Sequence, residues 1–183
     1  ARRVLPDGKT PQKTVNAVRI LCVARIHPRK GQDYLLDVIG GLKHDLQKKI
    51  ELCFVGPVIK QSFYKKLLEQ NEKLICKVKF LGDLTNQQLK SEYEKSDLFV
   101  LTSLALADSV EGFGFVYLEA SAHGLPILAN QVGGVEDAVQ SETTGILLEP
   151  NNASKMRFEL ERLIKDSSLR QKLGENGRKW ASQ

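Results

Sequence analysis

The sequence predicts an α/β domain, a three-layer α/β/α arrangement built on a mostly parallel sheet. Short apolar or β-branched runs alternate with amphipathic stretches of about 10–15 residues, the pattern of successive βαβ units. Two of the runs are closed by Gly56-Pro57 and by Gly82, residues that stop a strand. The chain has 183 residues, 42% hydrophobic and 27% charged, a soluble composition with length enough for one sizeable core.

Taken in order, residues 1–17, with Pro6, Gly8 and Pro11, read as an irregular lead-in or linker, and 18–183 as the domain. Residues 18–24 (VRILCVA) form a buried strand. Leu35, Val38, Ile39, Leu42 and Leu46 fall at helical spacing within 30–46. Strand 50–55, helix 62–73 and strand 78–81 follow. Thr85 is placed to cap a helix that carries Leu89 and Tyr93 at i, i+4. Strand 97–101 leads through a loop to a helix begun by Phe113-Gly114-Phe115. Strand 126–129, short helix 135–140 and strand 145–148 complete the sheet. Met156, Leu160, Leu163 and Ile164 make one apolar stripe, and 169–180 a last helix. Phe99, Leu101 and Tyr117 occupy packing positions; Trp180 is a candidate interface residue.

Several classes are disfavoured. The longest largely apolar run, 98–107, is far short of the roughly 20 residues that span a bilayer. No N-terminal stretch reads as a signal peptide. Cys22, Cys53 and Cys76 show no metal or redox spacing, and three apolar-context thiols suit a reducing, cytoplasmic setting. Asn152-Ala-Ser then carries no glycan. The net charge is +5, with Arg2, Arg3, Lys9, Lys13, Arg19, Arg25, Arg29 and Lys30 in the first 30 residues against Asp7 alone. A nucleic-acid module would interleave aromatics with such cations. Residues 1–30 hold no Phe, Tyr or Trp, so no nucleic-acid partner is expected.

Parallel α/β sheets bind ligands at the carboxyl ends of their strands, which directs attention to the loops there. The first strand ends in ARIHPRKG, with no GxGxxG to admit a dinucleotide pyrophosphate. The second ends in Val55-Gly56-Pro57, without the acid that takes a ribose hydroxyl in an NAD site. Arg25 and Lys30 instead bracket a proline-containing turn. A forked guanidinium and a compact ammonium together suit a diphosphate. Gly112 and Gly114 allow close backbone approach, and the helix start beside them favours anions. Glu111 precedes that helix and Glu119 lies more than a turn inside it. Acceptor-only carboxylates match the vicinal hydroxyls of ribose or a hexose. Gly133-Gly134 opens a further helix and adds backbone donors. Cations, donors and carboxylates around one crevice describe a sugar nucleotide. His27, His44 and His123 show no partner in the sequence and are assigned no role in the site.

These residues together resemble the C-terminal, donor-binding domain of retaining, family-four-type glycosyltransferases of the GT-B fold (glycosyl transferases group 1). Arg25-x4-Lys30-Gly31 is similar to that family's diphosphate pair. Glu111-x7-Glu119 is similar to its E-x7-E signature, with Phe113-Gly114-Phe115 and Leu118-Glu119-Ala120 inside it. Gly124-x-Pro126, Gly133-Gly134, Gly145 and Pro150 continue the pattern. The resemblance implies a Rossmann-like domain, one half of a GT-B fold, whose acceptor domain is absent from this chain. It implies transfer of a hexose-type sugar from a nucleoside diphosphate sugar, with retention and without a metal ion or other cofactor. Arg25 and Lys30 would grip the diphosphate and steady its developing charge. Glu119 would hold the ribose hydroxyls. Glu111 would contact the donor sugar, near Gly112 and the amides of Phe113, Gly114 and Phe115. Asp83 and Leu84 would lie against the base, and Gly133-Gly134 near the donor.

The wording SVEGFGFVYLEA is similar to enzymes of bacterial envelope polysaccharide or glycolipid synthesis, many of which use GDP-mannose. An enzyme of that kind is expected in the cytoplasm, and peripheral association with the inner face of the membrane stays open. The isolated domain is expected to bind nucleotide and turn over little or no substrate. Ala24 stands where the family often has glycine, and Glu136-Asp137 where it has Pro-Glu. The alternatives are a GT-B-fold sugar-nucleotide epimerase, whose signature differs, and a non-catalytic nucleotide-binding module.

Overall fold

The structure, a computed structural model, describes residues 17–104 and 114–183. Six strands form one sheet: β1 (Val18–Val23), β2 (Ile50–Val55), β3 (Lys77–Phe80), β4 (Leu98–Leu101), β5 (Ile127–Asn130) and β6 (Gly145–Leu148). Their order is β3-β2-β1-β4-β5-β6, and every pairing is parallel. The chain winds outward from β1 in one direction, returns, and winds outward from β4 in the other. The β1–β4 seam is therefore the topological switch point, where connections depart to opposite sides and leave a crevice at the strand ends.

Strand burial explains why periodicity alone picked out these runs. All residues of β4, β5 and β6 are buried, as in a sheet covered on both faces. The helices are α1 (Gln32–Gly40), α2 (His44–Gln47), α3 (Gln61–Asn71), α4 (Asn86–Lys95), α5 (Phe115–Ala122), α6 (Val135–Ala138), α7 (Ala153–Lys165) and α8 (Ser167–Ala181). The stretch expected as one helix over 30–46 is two. It opens with a 3-10 turn at Pro28–Lys30, and α1 stops at the Gly40-Gly41 pair before α2 resumes the same apolar stripe. Thr85 caps α4 in a full capping box: its hydroxyl accepts from the Gln88 amide, and the Gln88 side chain accepts from the Thr85 amide. Phe99, Leu101 and Tyr117 are buried in the core, as are Met156, Leu160, Leu163 and Ile164 of α7. Trp180 serves the fold itself, its indole N–H donating to the Ala138 carbonyl at 3.2 Å. The lead-in expected over residues 1–17 lies outside the described residues up to residue 16.

α8 lies unusually close to α5. A Cβ on Gly174 would sit 2.1 Å from the Gly124 carbonyl oxygen, so only glycine lets the two backbones approach this closely. Arg178 adds a bond from its guanidinium to the His123 carbonyl. The helix that follows the switch point is thereby braced from behind by the end of the chain.

Candidate functional site

The loop after β1 is built by its own sequence. Ile26 makes a parallel bridge to Val58, prolonging the β1–β2 pairing past the strands. His27 then caps the Pro28–Lys30 turn, its Nδ1 accepting from the Arg29 amide at 3.2 Å. Sequence reasoning gave His27 no task; the structure makes it a loop-shaping residue, with Nδ1 as acceptor. Gly31 closes the turn at φ 66°.

Gly31 also locks this loop to the end of β4. The Thr102 hydroxyl donates to the Gly31 carbonyl at 2.7 Å, and the Leu104 amide donates to the Arg29 carbonyl at 2.8 Å. A Cβ on Gly31 would fall 2.0 Å from the Thr102 carbonyl oxygen. Two loops from either side of the switch point are thus held in direct contact. Beneath them lies a fully buried polar shelf: Gln32, Thr102, Ser103 and Asn130. The Gln32 amide group donates to the Arg25 carbonyl at 2.9 Å. Asn130 donates to the carbonyls of Thr102 and Ser103 at 3.2 and 3.1 Å. Gln32 Oε1, Ser103 Oγ and Asn130 Oδ1 have no hydrogen-bond partner among the described residues. Sequence reasoning missed this shelf, although its signal is visible: the apolar runs LFVL and ILA each end on polar residues.

On this support Arg25 is exposed and Lys30 half-buried. Burial pushes the Cys22 thiol up to about 12, while the Lys30 ammonium pulls it down. The Lys30 charge therefore reaches the carboxyl end of β1. Arg25 and Lys30 stand with four residues between them around the Pro28–Lys30 turn, at the seam where an anion is expected.

Gly114, at φ 69°, is the N-cap of α5, and Phe115 is exposed at the helix start. The positive end of the helix faces the strand ends. Glu119 is exposed, and one of its oxygens accepts from the buried Tyr93 hydroxyl at 2.9 Å. Glu111, Gly112 and Phe113 lie outside the described residues. After β3, Gly82 turns the chain at φ 69°, leaving Asp83 exposed and Leu84 half-buried. In the sheet order β3-β2-β1 these two follow the strand on the far side of β2 from the β1 loop, and the Gly82 carbonyl just before them accepts from the Gly56 amide at 2.8 Å. Gly133, at φ 57°, and Gly134 open α6 beyond β5, on the other side of the seam. Glu136 in that helix accepts from the Gln131 side chain at 2.7 Å. Among the described residues, no group of three or more His, Cys, Asp or Glu is placed to hold a metal ion, and no helix is long and apolar enough to cross a membrane.

Comparison with known proteins bears on the family and the fold. The family described as glycosyl transferases group 1 matches residues 9–180. A GDP-mannose-dependent monoacylated alpha-(1-6)-phosphatidylinositol monomannoside mannosyltransferase of Corynebacterium glutamicum is 32% identical over 164 residues, covering 87% of this chain and 41% of that protein. A GDP-mannose-dependent alpha-(1-6)-phosphatidylinositol monomannoside mannosyltransferase of Mycobacterium tuberculosis is 26% identical over 165 residues, covering 89% of this chain and 42% of that protein. Among solved structures, Anabaena HepE in complex with UDP and glucose superposes with a TM-score of 0.78 at 26% identity, over 93% of this chain and 45% of HepE. The chain thus spans less than half the length of the relatives it matches.

Proposed function

The chain belongs to the glycosyl transferases group 1 family, and from that premise we propose that residues 18–183 are the donor-binding domain of a retaining hexosyltransferase. The donor is a hexose carried on a nucleoside diphosphate. The acceptor is bound by a further domain of the whole enzyme and belongs to envelope polysaccharide or glycolipid synthesis, at the inner face of the membrane. Relatives more than twice as long, two of them named for transfer to a phosphatidylinositol mannoside, support that assignment. Two relatives are named for GDP-mannose and HepE for UDP and glucose, so the shared chemistry is the nucleotide sugar and the base is left to experiment.

One observation carries the reading. Arg25 and Lys30 project from a turn that Gly31 clamps to the end of β4 at the switch point, and Gly114 starts α5 at the other end of the connection from β4. As the sugar leaves, negative charge builds on the diphosphate. A forked guanidinium, an ammonium and a helix N-terminus, held before reaction begins, stabilise that charge without reorganising. They take the part a metal ion plays elsewhere, so the reading needs none. Glu119 takes the ribose hydroxyls, Glu111 contacts the donor sugar, Asp83 and Leu84 border the base, and Gly112, Phe113, Phe115, Gly133 and Gly134 line the donor path.

Thermal unfolding against UDP, GDP, ADP and their hexose conjugates tests this. Ligand at about 100 times its dissociation constant stabilises by roughly 2.7 kcal/mol. One base is expected to protect the parent chain and to protect neither Arg25→Ala nor Glu119→Ala. Protection that survives Arg25→Ala, or no protection at millimolar ligand, refutes the reading.

A further inference from the structure

Glu119 has a fixed partner that the donor site as described does not explain. Tyr93, near the end of α4, is 3% exposed, and its hydroxyl donates to Glu119 Oε2 at 2.9 Å across 26 residues of sequence. Two rings pack against it. His123 stacks on it at 4.9 Å with planes 15° apart, and Phe99 of β4 lies at 6.3 Å. His123 is itself fixed at the end of α5, its Nδ1 2.8 Å from the Glu119 carbonyl oxygen. Burial, and then the neighbouring Glu119 carboxylate, push the Tyr93 phenol upward, so it stays a donor at any pH the protein meets. An exposed glutamate is thereby tied through Oε2 to a buried ring, which leaves its other oxygen outside that bond.

We propose that Tyr93 is a positioning residue of the donor site: its hydroxyl holds the Glu119 carboxylate so that the second oxygen meets the ribose hydroxyls, and this tether sets the preference for ribonucleotides over 2′-deoxyribonucleotides. The proposal rests on the reading that Glu119 takes the ribose. The physical ground is preorganisation. An unrestrained glutamate loses its rotamer freedom only when it binds. A tethered one has already lost it, so each ribose hydroxyl gains more from the contact. Tyr93 itself is buried and touches no ligand.

The test is isothermal titration of the chain with UDP and 2′-deoxy-UDP, and with GDP and 2′-deoxy-GDP, in the parent, Tyr93→Phe and Glu119→Gln. The parent is expected to favour the ribonucleotide of the accepted base by about tenfold, the range of one hydrogen bond to a charged group. Tyr93→Phe keeps the stacked ring and is expected to cut that ratio to about threefold or less, the loss falling mainly on the ribonucleotide. A merely structural role would weaken both ligands alike and leave the ratio intact. If Tyr93→Phe keeps the parent ratio while Glu119→Gln loses it, the proposal is overturned and Glu119 keeps its ribose role. If the parent shows no ribose preference, or Glu119→Gln retains it, the ribose role fails and the proposal with it. Should Tyr93→Phe melt too low to titrate, Glu119→Asp, too short to meet Tyr93 and ribose together, is expected to lose the ratio. Its retention there overturns the tether equally.

Discussion

Gly31→Ala perturbs a residue that joins the two loops at the switch point, and its cost can be worked from two separable causes. The backbone there has φ 66°, a left-handed conformation that costs an L-residue about 1–2 kcal/mol. The added Cβ also lands 2.0 Å from the Thr102 carbonyl oxygen and 2.9 Å from its carbon, closer than any real contact. The loops must part, which sacrifices the Thr102–Gly31 bond of 2.7 Å and strains the Leu104–Arg29 bond of 2.8 Å. Thr102 is fully buried, so an orphaned group there adds about 1–3 kcal/mol. The expected loss is about 2–5 kcal/mol, a large part of the ~5–15 kcal/mol that holds a typical domain. Gly82→Ala separates the causes. Its φ is 69°, yet a Cβ there meets nothing within 4 Å, so only the dihedral cost of about 1–2 kcal/mol applies. Urea unfolding of both variants beside the parent gives the comparison from the midpoints and m-values. Equal losses for the two glycines would refute the claim that close approach, rather than handedness, demands Gly31.

Three further outcomes are expected. Thr85→Ala removes the capping box of α4 and should cost about 1 kcal/mol in urea unfolding, with faster amide exchange confined to the first turn of that helix. Gly174→Ala should cost about 2 kcal/mol because α8 must lift from the Gly124 backbone that follows α5, whereas Gly177→Ala, whose Cβ would come no nearer than 3.3 Å, to Ser121 Oγ, should fall within about 1 kcal/mol of the parent in the same assay. Burial holds Cys22 at about 12 and Cys76 at about 11, above the ordinary thiol value of 9.0, so the folded state keeps protons that the unfolded chain releases. Their contribution is then complete below about pH 9 and declines through pH 11–12, and alkaline unfolding curves of Cys22→Ala should fall less steeply than those of the parent.

What the sequence revealed of this molecule was whatever residue type and period encode. The alternation of runs located all six strands to within a residue or so, most plainly β4, β5 and β6, whose residues are all buried and nearly all apolar. The break inside 30–46 was hidden: Leu42 and Leu46 continue the stripe of α1 across Gly40-Gly41, and period outvoted the glycines. Arg25 and Lys30 were legible because cations at a strand end are chemically conspicuous. Thr102, Asn130 and Tyr93 were not, since each acts through a partner 26 to 71 positions away. Tyr93 in particular sits at a helical core spacing, and nothing local distinguishes a packed ring from one whose hydroxyl reaches a carboxylate.

The hidden residues share a place in the fold. A parallel sheet buried on both faces must end somewhere, and at its carboxyl edge the last carbonyls and the departing loops need partners. Here the partners are side chains: Thr102 at the end of β4 reaches Gly31 across the switch point, Gln32 of α1 serves Arg25, and Asn130 of β5 serves Thr102 and Ser103. The first bond crosses from one winding half of the sheet to the other, the second ties the β1 loop to α1, and the others tie the end of β4 to β5. The crevice that the topology opens is therefore closed from below by polar bonds rather than by apolar packing. Apolar contacts would allow the loops to slide, whereas directed bonds hold the Arg25–Lys30 turn at one height above the sheet. A site that grips a diphosphate by charge needs that fixed height, since a cation displaced by an ångström loses much of a preorganised interaction.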